Sequence, residues 1–366
     1  MADLRIEQLL RAMVENKASD LHIRAGVPPI YRINGSLTKL FETRVDSAMM
    51  DSFLDDIMNR DQKQRFEANK ECDFAVGARD MGRFRVNVFR QRGTIAMVIR
   101  HIKAKIPAFE ELHLPDVIRD MALTRRGLVL VTGTTGSGKS TTLASMLDYI
   151  NQTEPVNIIT VEDPIEYLYK DNVAIVSQRE IGVDTLSYAN ALRAALRQDP
   201  DVLLVGEIRD LETMQIALTA ADTGHMVFAT IHTTNAVETI HRVLSMYPPH
   251  QHDEIRLLLA EVLAGIISLR LLPTKDGKGR VPAAEILVNT GAIKEYIQDK
   301  DKIDMVEQAV AEGHIQYHSQ TFDQALLELY QSEQISLETA MNAATNRDDF
   351  DLKIRGISGT SDRGWM

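Results

Sequence analysis

Apolar positions change period along this chain, and each change marks an element or a domain. Over residues 4–14, Leu4, Leu9, Leu10, Met13 and Val14 fall near one helical face while Arg5, Glu7 and Arg11 lie elsewhere, which predicts a short amphipathic helix. Residues 21–24 and 30–33 then read as strands, and the Asn34-Gly35 pair tolerates the positive φ of a tight hairpin turn. Residues 84–90 alternate, with Phe84, Val86 and Val88 facing one way and Arg83, Arg85 and Asn87 the other; this predicts a half-buried strand, and residues 95–102 a second. The mixture predicts an α+β domain over residues 1–102. Pro107 and Pro115 mark a linker over 103–115.

Beyond it, alternation gives way to short continuous aliphatic runs at 128–131, 157–161, 202–205 and 226–231, separated by helical stretches. Runs that are apolar on both faces are expected where helices cover both sides of a parallel sheet, so residues 116–355 predict an α/β domain, helical in its C-terminal part after a run at 283–288. The most apolar long stretch, 255–272, is interrupted by Arg256, Glu261 and Arg270, and reads as a buried or interface helix rather than a membrane span. Residues 356–366, rich in Gly, Ser and Asp without periodicity, read as a disordered tail.

Composition narrows the function. A chain of 366 residues has room for more than one domain and a sizeable core. Its 41 basic against 52 acidic residues give a net charge of −11, the opposite of a duplex-coating protein, so nucleic acid is not an expected partner. The single cysteine, Cys72, allows no intramolecular disulfide and no four-cysteine zinc site, which suits a reducing cytoplasm. Asp3, Arg5 and Glu7 leave no apolar signal-peptide core in the first ten residues, and any membrane role is expected to be peripheral.

The chemistry concentrates in the second half. Residues 133–140, Gly-Thr-Thr-Gly-Ser-Gly-Lys-Ser, match the G-x-x-x-x-G-K-S/T phosphate loop, with an aliphatic run before and a helix-forming stretch after. Glycines there let backbone N–H groups turn inward around phosphate oxygens. Nucleotide binding is thus assigned to Gly133, Thr134, Thr135, Gly136, Ser137, Gly138, Lys139, Ser140 and Thr141, with Lys139 against the β/γ oxygens and Ser140 a ligand of Mg²⁺. Glu207 is the first carboxylate after the 202–205 run, where a Walker-B acid completes the Mg²⁺ shell directly or through water. Glu162 ends another run; it is a candidate to orient the attacking water, or else the acidic start of a helix before Pro164. His225 and His232 flank a strand too far apart for one metal, and His232 with Thr233 and Thr234 reads either as a γ-phosphate sensor or as a hydrogen-bonded polar turn. Arg83 and Arg85 suit either an arginine finger reaching across a subunit boundary or an ordinary solvated strand face. Arg193 and Arg197, four apart on a predicted helix, invite the same two readings.

In order along the chain, 133–140, Ile159-Thr-Val-Glu-Asp-Pro-Ile-Glu166, Leu196-Arg-Gln-Asp-Pro-Asp201 with Gly206-Glu-Ile-Arg209, and Thr223-Gly-His225 through His232-Thr-Thr234 resemble the Walker A, Asp box, Walker B and His box of the secretion-ATPase superfamily. Within it, Ser19-Asp-Leu-His22, Gly82-Arg-Phe-Arg-Val-Asn87 and the short N-terminal domain resemble the PilT/PilU-like type IV pilus retraction ATPases, over about residues 1–355. The resemblance implies a PAS-like N-terminal domain, a RecA-like ATPase domain and a homohexamer that hydrolyses ATP with Mg²⁺. It implies that Glu162 is the catalytic carboxylate, Glu207 the Walker-B acid, and Arg83 and Arg85 phosphate-facing. It also implies pilus retraction and twitching motility, at the cytoplasmic face of the inner membrane against a pilus platform protein. The family's Ala-Ile-Arg-Asn-Leu-Ile motif stands here as Ala292-Ile-Lys-Glu-Tyr-Ile297. Together with Asp276-Gly-Lys-Gly-Arg280 and Gln320-Thr-Phe-Asp-Gln-Ala-Leu326, it leans toward the PilU-like accessory branch, whose partner would be a paralogous retraction ATPase.

Three other classes share part of this chemistry. A strand-translocating motor needs a basic or aromatic track that the acidic balance does not favour. A GTPase would carry an Asn-Lys-x-Asp tetrapeptide, which is absent, and a small-molecule kinase would respond to an acceptor. A nonhydrolysing ring does not fit an intact Lys139, Glu162 and Glu207 set.

Overall fold

Strand patterning separates two sheets in the computed structural model, which describes residues 4–33, 35–102 and 106–356. The chain divides into two units, Met1–Lys105 with Glu166–Leu168, and Ile106–Ile165 with Tyr169–Met366. The first holds β1 (Asp20–Arg24), β2 (Ile30–Ile33), β3 (Ser36–Lys39), β4 (Glu71–Ala78), β5 (Gly82–Gln91) and β6 (Thr94–Ile102), in the order β3-β2-β1-β6-β5-β4, with every pair antiparallel. On β5, Phe84, Val86 and Val88 are fully buried and join Leu9, Met13 and Phe53 in one core, as the alternation requires. Gly35 has the positive φ that its turn requires, +83°, while Asn34 lies outside the described residues.

Two helices of this unit, Ser47–Ile57 and Arg60–Asn69, and strand β4 were not anticipated. The helices carry a local signal at their starts: the Asp46 carboxylate accepts from Met49 N at 2.8 Å, and Asn59 and Gln62 bond reciprocally.

The second unit holds β7 (Gly127–Thr132), β8 (Asn157–Glu162), β9 (Ile175–Glu180), β10 (Val202–Val205), β11 (Met226–Ile231), β12 (Leu263–Pro273) and β13 (Arg280–Val288). Their order is β13-β12-β7-β11-β10-β8-β9, parallel except for β13 against β12. The continuous aliphatic runs hide a period of two: Leu128 and Leu130 enter one core with Val161 and Leu203, while Val129 and Val131 enter another with Ile158 and Phe228. After β13 the chain is helical through Gly291–Gln298, Val306–Glu312, Phe322–Gln331, Leu337–Ala343 and Arg347–Ile354.

One expectation needs correction, and part of the 103–115 segment packs into the second unit. Residues 255–272 are not one helix: the helix His252–Val262 ends and β12 begins at Leu263. Gly265 explains the change, because a Cβ there would lie 2.7 Å from the Leu287 carbonyl oxygen and 2.6 Å from Met121 Cε, so backbone approach between strands sets the element. The segment read as a linker is packed from 106 onward: Phe109 is buried with Ile118 and Met121, and Ser145 Oγ donates to the Pro107 carbonyl at 2.7 Å. Residues 103–105 and the tail from 357 lie outside the described residues.

Glu285 on β13 is buried in this unit, and burial pushes its carboxyl up to about 7, with Glu307 adding to the rise and Arg270 opposing it. The folded protein therefore binds a proton there that the unfolded chain releases near pH 4.5. Stability from this group is expected to fall between pH 4.5 and about 7 and to level off above it. Urea unfolding of wild type and Glu285→Gln across that window checks this; a constant difference between the two would contradict it. Gly265→Ala is expected to cost about 1–3 kcal/mol, since the opposing Leu287 oxygen is backbone. An unchanged urea midpoint would mean that the strands separate freely there.

Candidate nucleotide site

A strand apolar on both faces can present charged groups only at or beyond its end, and four strands of this sheet do so side by side. β7 runs into the glycine loop, where Gly133, Gly136 and Gly138 take φ of +137°, +80° and +105°. At Gly133 a Cβ would meet Ser137 Oγ at 2.4 Å and the Leu269 carbonyl at 2.5 Å, so glycine is required there. The helix Lys139–Thr153 starts directly behind the loop, aiming its first N–H groups toward it. Lys139 is buried, its Nζ donating to the carbonyls of Gly133 at 2.8 Å and Thr134 at 3.0 Å. Its ammonium thus sits inside the loop. Ser137 Oγ is buried with no hydrogen-bond partner in the structure, whereas Thr134, Thr135 and Gly136 are exposed and Ser140 and Thr141 half-buried.

β8 and β10 bring the carboxylates. Glu162, the last residue of β8, is buried, and its Oε1 accepts from Thr160 Oγ1 at 2.7 Å and Gln178 Nε2 at 3.2 Å. It therefore belongs to the strand and starts no helix. Gly206 follows β10 level with Glu162: its N–H donates to the Val161 carbonyl at 2.8 Å, and a Cβ there would lie 3.2 Å from Glu162 Cα. Glu207 comes next, one oxygen 2.6 Å from Arg209 and the other 3.2 Å from His232 Nε2.

The β11 end completes the group. Ile231 pairs with Thr132, so His232 emerges from the sheet beside Gly133. Thr233 and Thr234 are used in the turn itself: Thr233 Oγ1 bonds Thr239 Oγ1 at 2.7 Å, while Thr234 donates through N and Oγ1 to Glu238 at 2.8 and 2.6 Å. His225, at the other end of β11, faces the Ala220 carbonyl at 2.9 Å, away from this group. Arg193 pairs with Glu212, and Arg197 donates to the Arg193 carbonyl at 3.1 Å. Arg83 and Arg85 lie on β5 of the first unit, with Arg85 making two bonds to Asp73 at 2.8 and 3.2 Å.

Sequence reasoning missed Tyr188 and Arg209. The Tyr188 hydroxyl lies 3.1 Å from the position of a Gly206 Cβ, and burial, with Asp163, Glu207 and Glu162 nearby, raises it above the usual phenol range. Its hydrogen bond to Glu207 holds the Arg209 guanidinium above its ordinary range. Nothing in the spacing of Tyr188 announces this; only a Ser187 cap, accepting from Asn190 N, marks the start of its helix. The oxygen donors are hard ones, the Ser140 hydroxyl and the Glu207 carboxylate, and they fit a small divalent cation that keeps several waters.

Residues 3–353 match the family model described as Type II/IV secretion system protein. The type IV pilus ATPase PilU of Pseudomonas aeruginosa is 41% identical over 352 residues, covering 96% of this chain and 92% of its own. PilT of the same organism, the type IV pilus retraction ATPase, is 43% identical over 345 residues, covering 94% and 99%. Among solved structures, the pilus retraction motor PilT with bound ADP aligns with a TM-score of 0.88 at 46% identity, over 94% of this chain and 98% of that one. The Legionella pneumophila ATPase DotB aligns at 0.75 and 27% identity, over 97% of both. The α/β architecture and the nucleotide chemistry of the loop agree with these likenesses.

If Glu162 acts as a base, Glu162→Gln keeps the bonds from Thr160 and Gln178 but loses basicity. Nucleotide affinity is expected to persist while turnover falls at least about a hundredfold. Titration with a fluorescent nucleotide beside a phosphate-release assay checks this, and parallel loss of both would make Glu162 structural.

Proposed function

We infer, because this chain belongs to the Type II/IV secretion system protein family and within it to the PilT/PilU-like type IV pilus retraction ATPases, that it is an ATP-driven motor for pilus retraction and twitching motility. It works as a homohexamer in the cytoplasm, peripheral to the inner membrane, against a pilus platform protein. The observation that carries the reading is the Lys139 ammonium held within a glycine loop beside the ends of β8, β10 and β11. No helix among the described residues is long and apolar enough to cross a membrane.

The reaction is ATP + H₂O to ADP and phosphate. Lys139 exchanges its two carbonyl acceptors for β/γ oxygens, and the loop N–H groups with the helix N-terminus stabilise the charge that develops there. Glu162 orients the attacking water and takes its proton. Ser140 and Glu207 would hold Mg²⁺, which supplies neutralising charge on the phosphates. His232, set against Glu207, reports the γ-phosphate to the helix that follows it. Arg83 and Arg85 bring guanidinium charge to a site in another protomer.

Departure from the family motif at 292–297 supports an accessory, PilU-like role beside a paralogous ATPase. Ile293 and Ile297 of the helix Gly291–Gln298 are buried, while Lys294 pairs with Glu261 at 3.3 Å and Glu295 with Lys302 at 2.5 Å. Lys294 and Glu295 therefore alter the surface, while Tyr296 packs against the edge of the core.

Deleting the gene tests the reading. Long, abundant pili without twitching are expected, restored by the wild-type gene but not by Lys139→Ala, whose phosphate release is lost at normal protein level. Loss of pili on deletion would mean an extension motor. Replacing Lys294-Glu295-Tyr296 by Arg-Asn-Leu is expected to leave ATPase rate within about twofold, as the helix lies outside the phosphate loop and the carboxylate-bearing strand ends, yet to change retraction in a strain lacking the paralogue. Unchanged retraction there would make the segment packing alone.

A further inference from the structure

A helix start leaves its first backbone N–H groups without intrahelical partners, and each needs an acceptor if it is buried. The helix Ala236–Ser245 follows the 232–234 turn directly. Glu238 N is capped by the Asn235 side chain at 2.8 Å, and Thr234 N by Glu238 at 2.8 Å. The Ala236 N–H, at the first helical position on a residue 3% exposed, donates to Glu285 Oε1 at 2.6 Å. Glu285 belongs to β13, 49 positions away in sequence.

The same carboxylate oxygen is tied to the phosphate loop from the other side. Glu285 stands opposite Ser268 of β12, whose hydroxyl lies 3.4 Å from it, and Ser268 stands opposite Thr132 of β7. Thr132 Oγ1 donates to Ser268 Oγ at 3.0 Å. Thr132 immediately precedes Gly133. A buried polar chain thus crosses three strands at one level, from the root of the phosphate loop to the helix behind His232. All its side chains are buried, Thr132 and Ser268 fully, which strengthens these bonds relative to exposed ones.

We propose that Glu285 is a positioning residue: by holding the Ala236 N–H and the Thr132–Ser268 chain together, it sets the 232–234 turn, and through His232 the Glu207 carboxylate, relative to the phosphate loop. A carboxylate is costly to bury, and an apolar side chain would fill the same core, so packing alone does not account for it. Arg270 and Glu307 act on Glu285 electrostatically, and its hydrogen bonds run to Ala236 and Ser268. The proposal rests on the reading that His232 and Glu207 serve hydrolysis.

The test compares Glu285→Gln, which keeps the acceptor oxygen, with Glu285→Met, which keeps the volume without it, in the full-length assembled protein, with Lys139→Ala as reference. Glu285→Gln is expected to stay within about twofold of wild-type turnover, while Glu285→Met loses at least about tenfold in turnover with nucleotide affinity within about threefold. Wild-type turnover in Glu285→Met, equal impairment in Glu285→Gln, or affinity lost together with turnover would each overturn it. Should Lys139→Ala, or His232→Ala and Glu207→Gln made beside it, keep wild-type turnover, the reading of the site on which the proposal rests fails instead. Amide exchange at Ala236 decides independently of any variant: protection in the wild-type protein supports the proposal, and rapid exchange, as at a solvated first helical position, overturns it.

Discussion

Burial of β7 on both faces and pairing on both edges is the constraint from which the rest of the second unit follows. Between β12 and β11 the strand has no polar outlet, and its residues alternate into two separate cores. Everything charged must lie past its carboxyl end. There the chain has to reverse into a helix within a few residues, and glycines supply the backbone angles that other residues resist. The loop that results exposes N–H groups and encloses an ammonium, which makes it a receptor for anionic oxygen.

Neighbouring strands are held to the same level by parallel registry, so their ends arrive together. Val161, Val205 and Ala229 stand side by side, and one, two and three residues beyond them come Glu162, Glu207 and His232. Gly206 is the closest approach in this group, where a side chain would strike Glu162 and Tyr188. Thr230 reinforces it by donating to the Gly206 carbonyl at 2.6 Å. The carboxylates are thus placed by the sheet, while Thr160, Gln178, Arg209 and His232 determine how each is oriented.

The C-terminal helices are bound to this sheet by β12 and β13. Arg270, on β12 next to Leu269 whose carbonyl backs Gly133, lies over the Phe322 ring at 3.7 Å and donates to the Ala343 carbonyl at 2.8 Å. Burial holds its guanidinium below the ordinary range. The strand that supports the phosphate loop is therefore also the one that grips the helices after β13.

Much of this was legible in the chain itself. The glycine loop with Lys139 and Ser140, the aliphatic strands, and Glu162 and Glu207 at their ends are local patterns, because strand burial and tight turns depend on residues within a few positions of one another. Where local pattern failed, a distant backbone decided. Residues 263–273 became a strand because Gly265 admits the Leu287 carbonyl, and residues 106–115 packed down because Phe109 finds a core built from β7 and its helix. Tyr188, Arg209 and Glu285 gained their roles only from neighbours that are distant in sequence or brought close by a turn, for Glu285 across 49 positions. Sequence spacing determines which face a residue shares with its near neighbours, whereas the partner of a buried polar atom is set by strand order and register, which only the folded sheet decides.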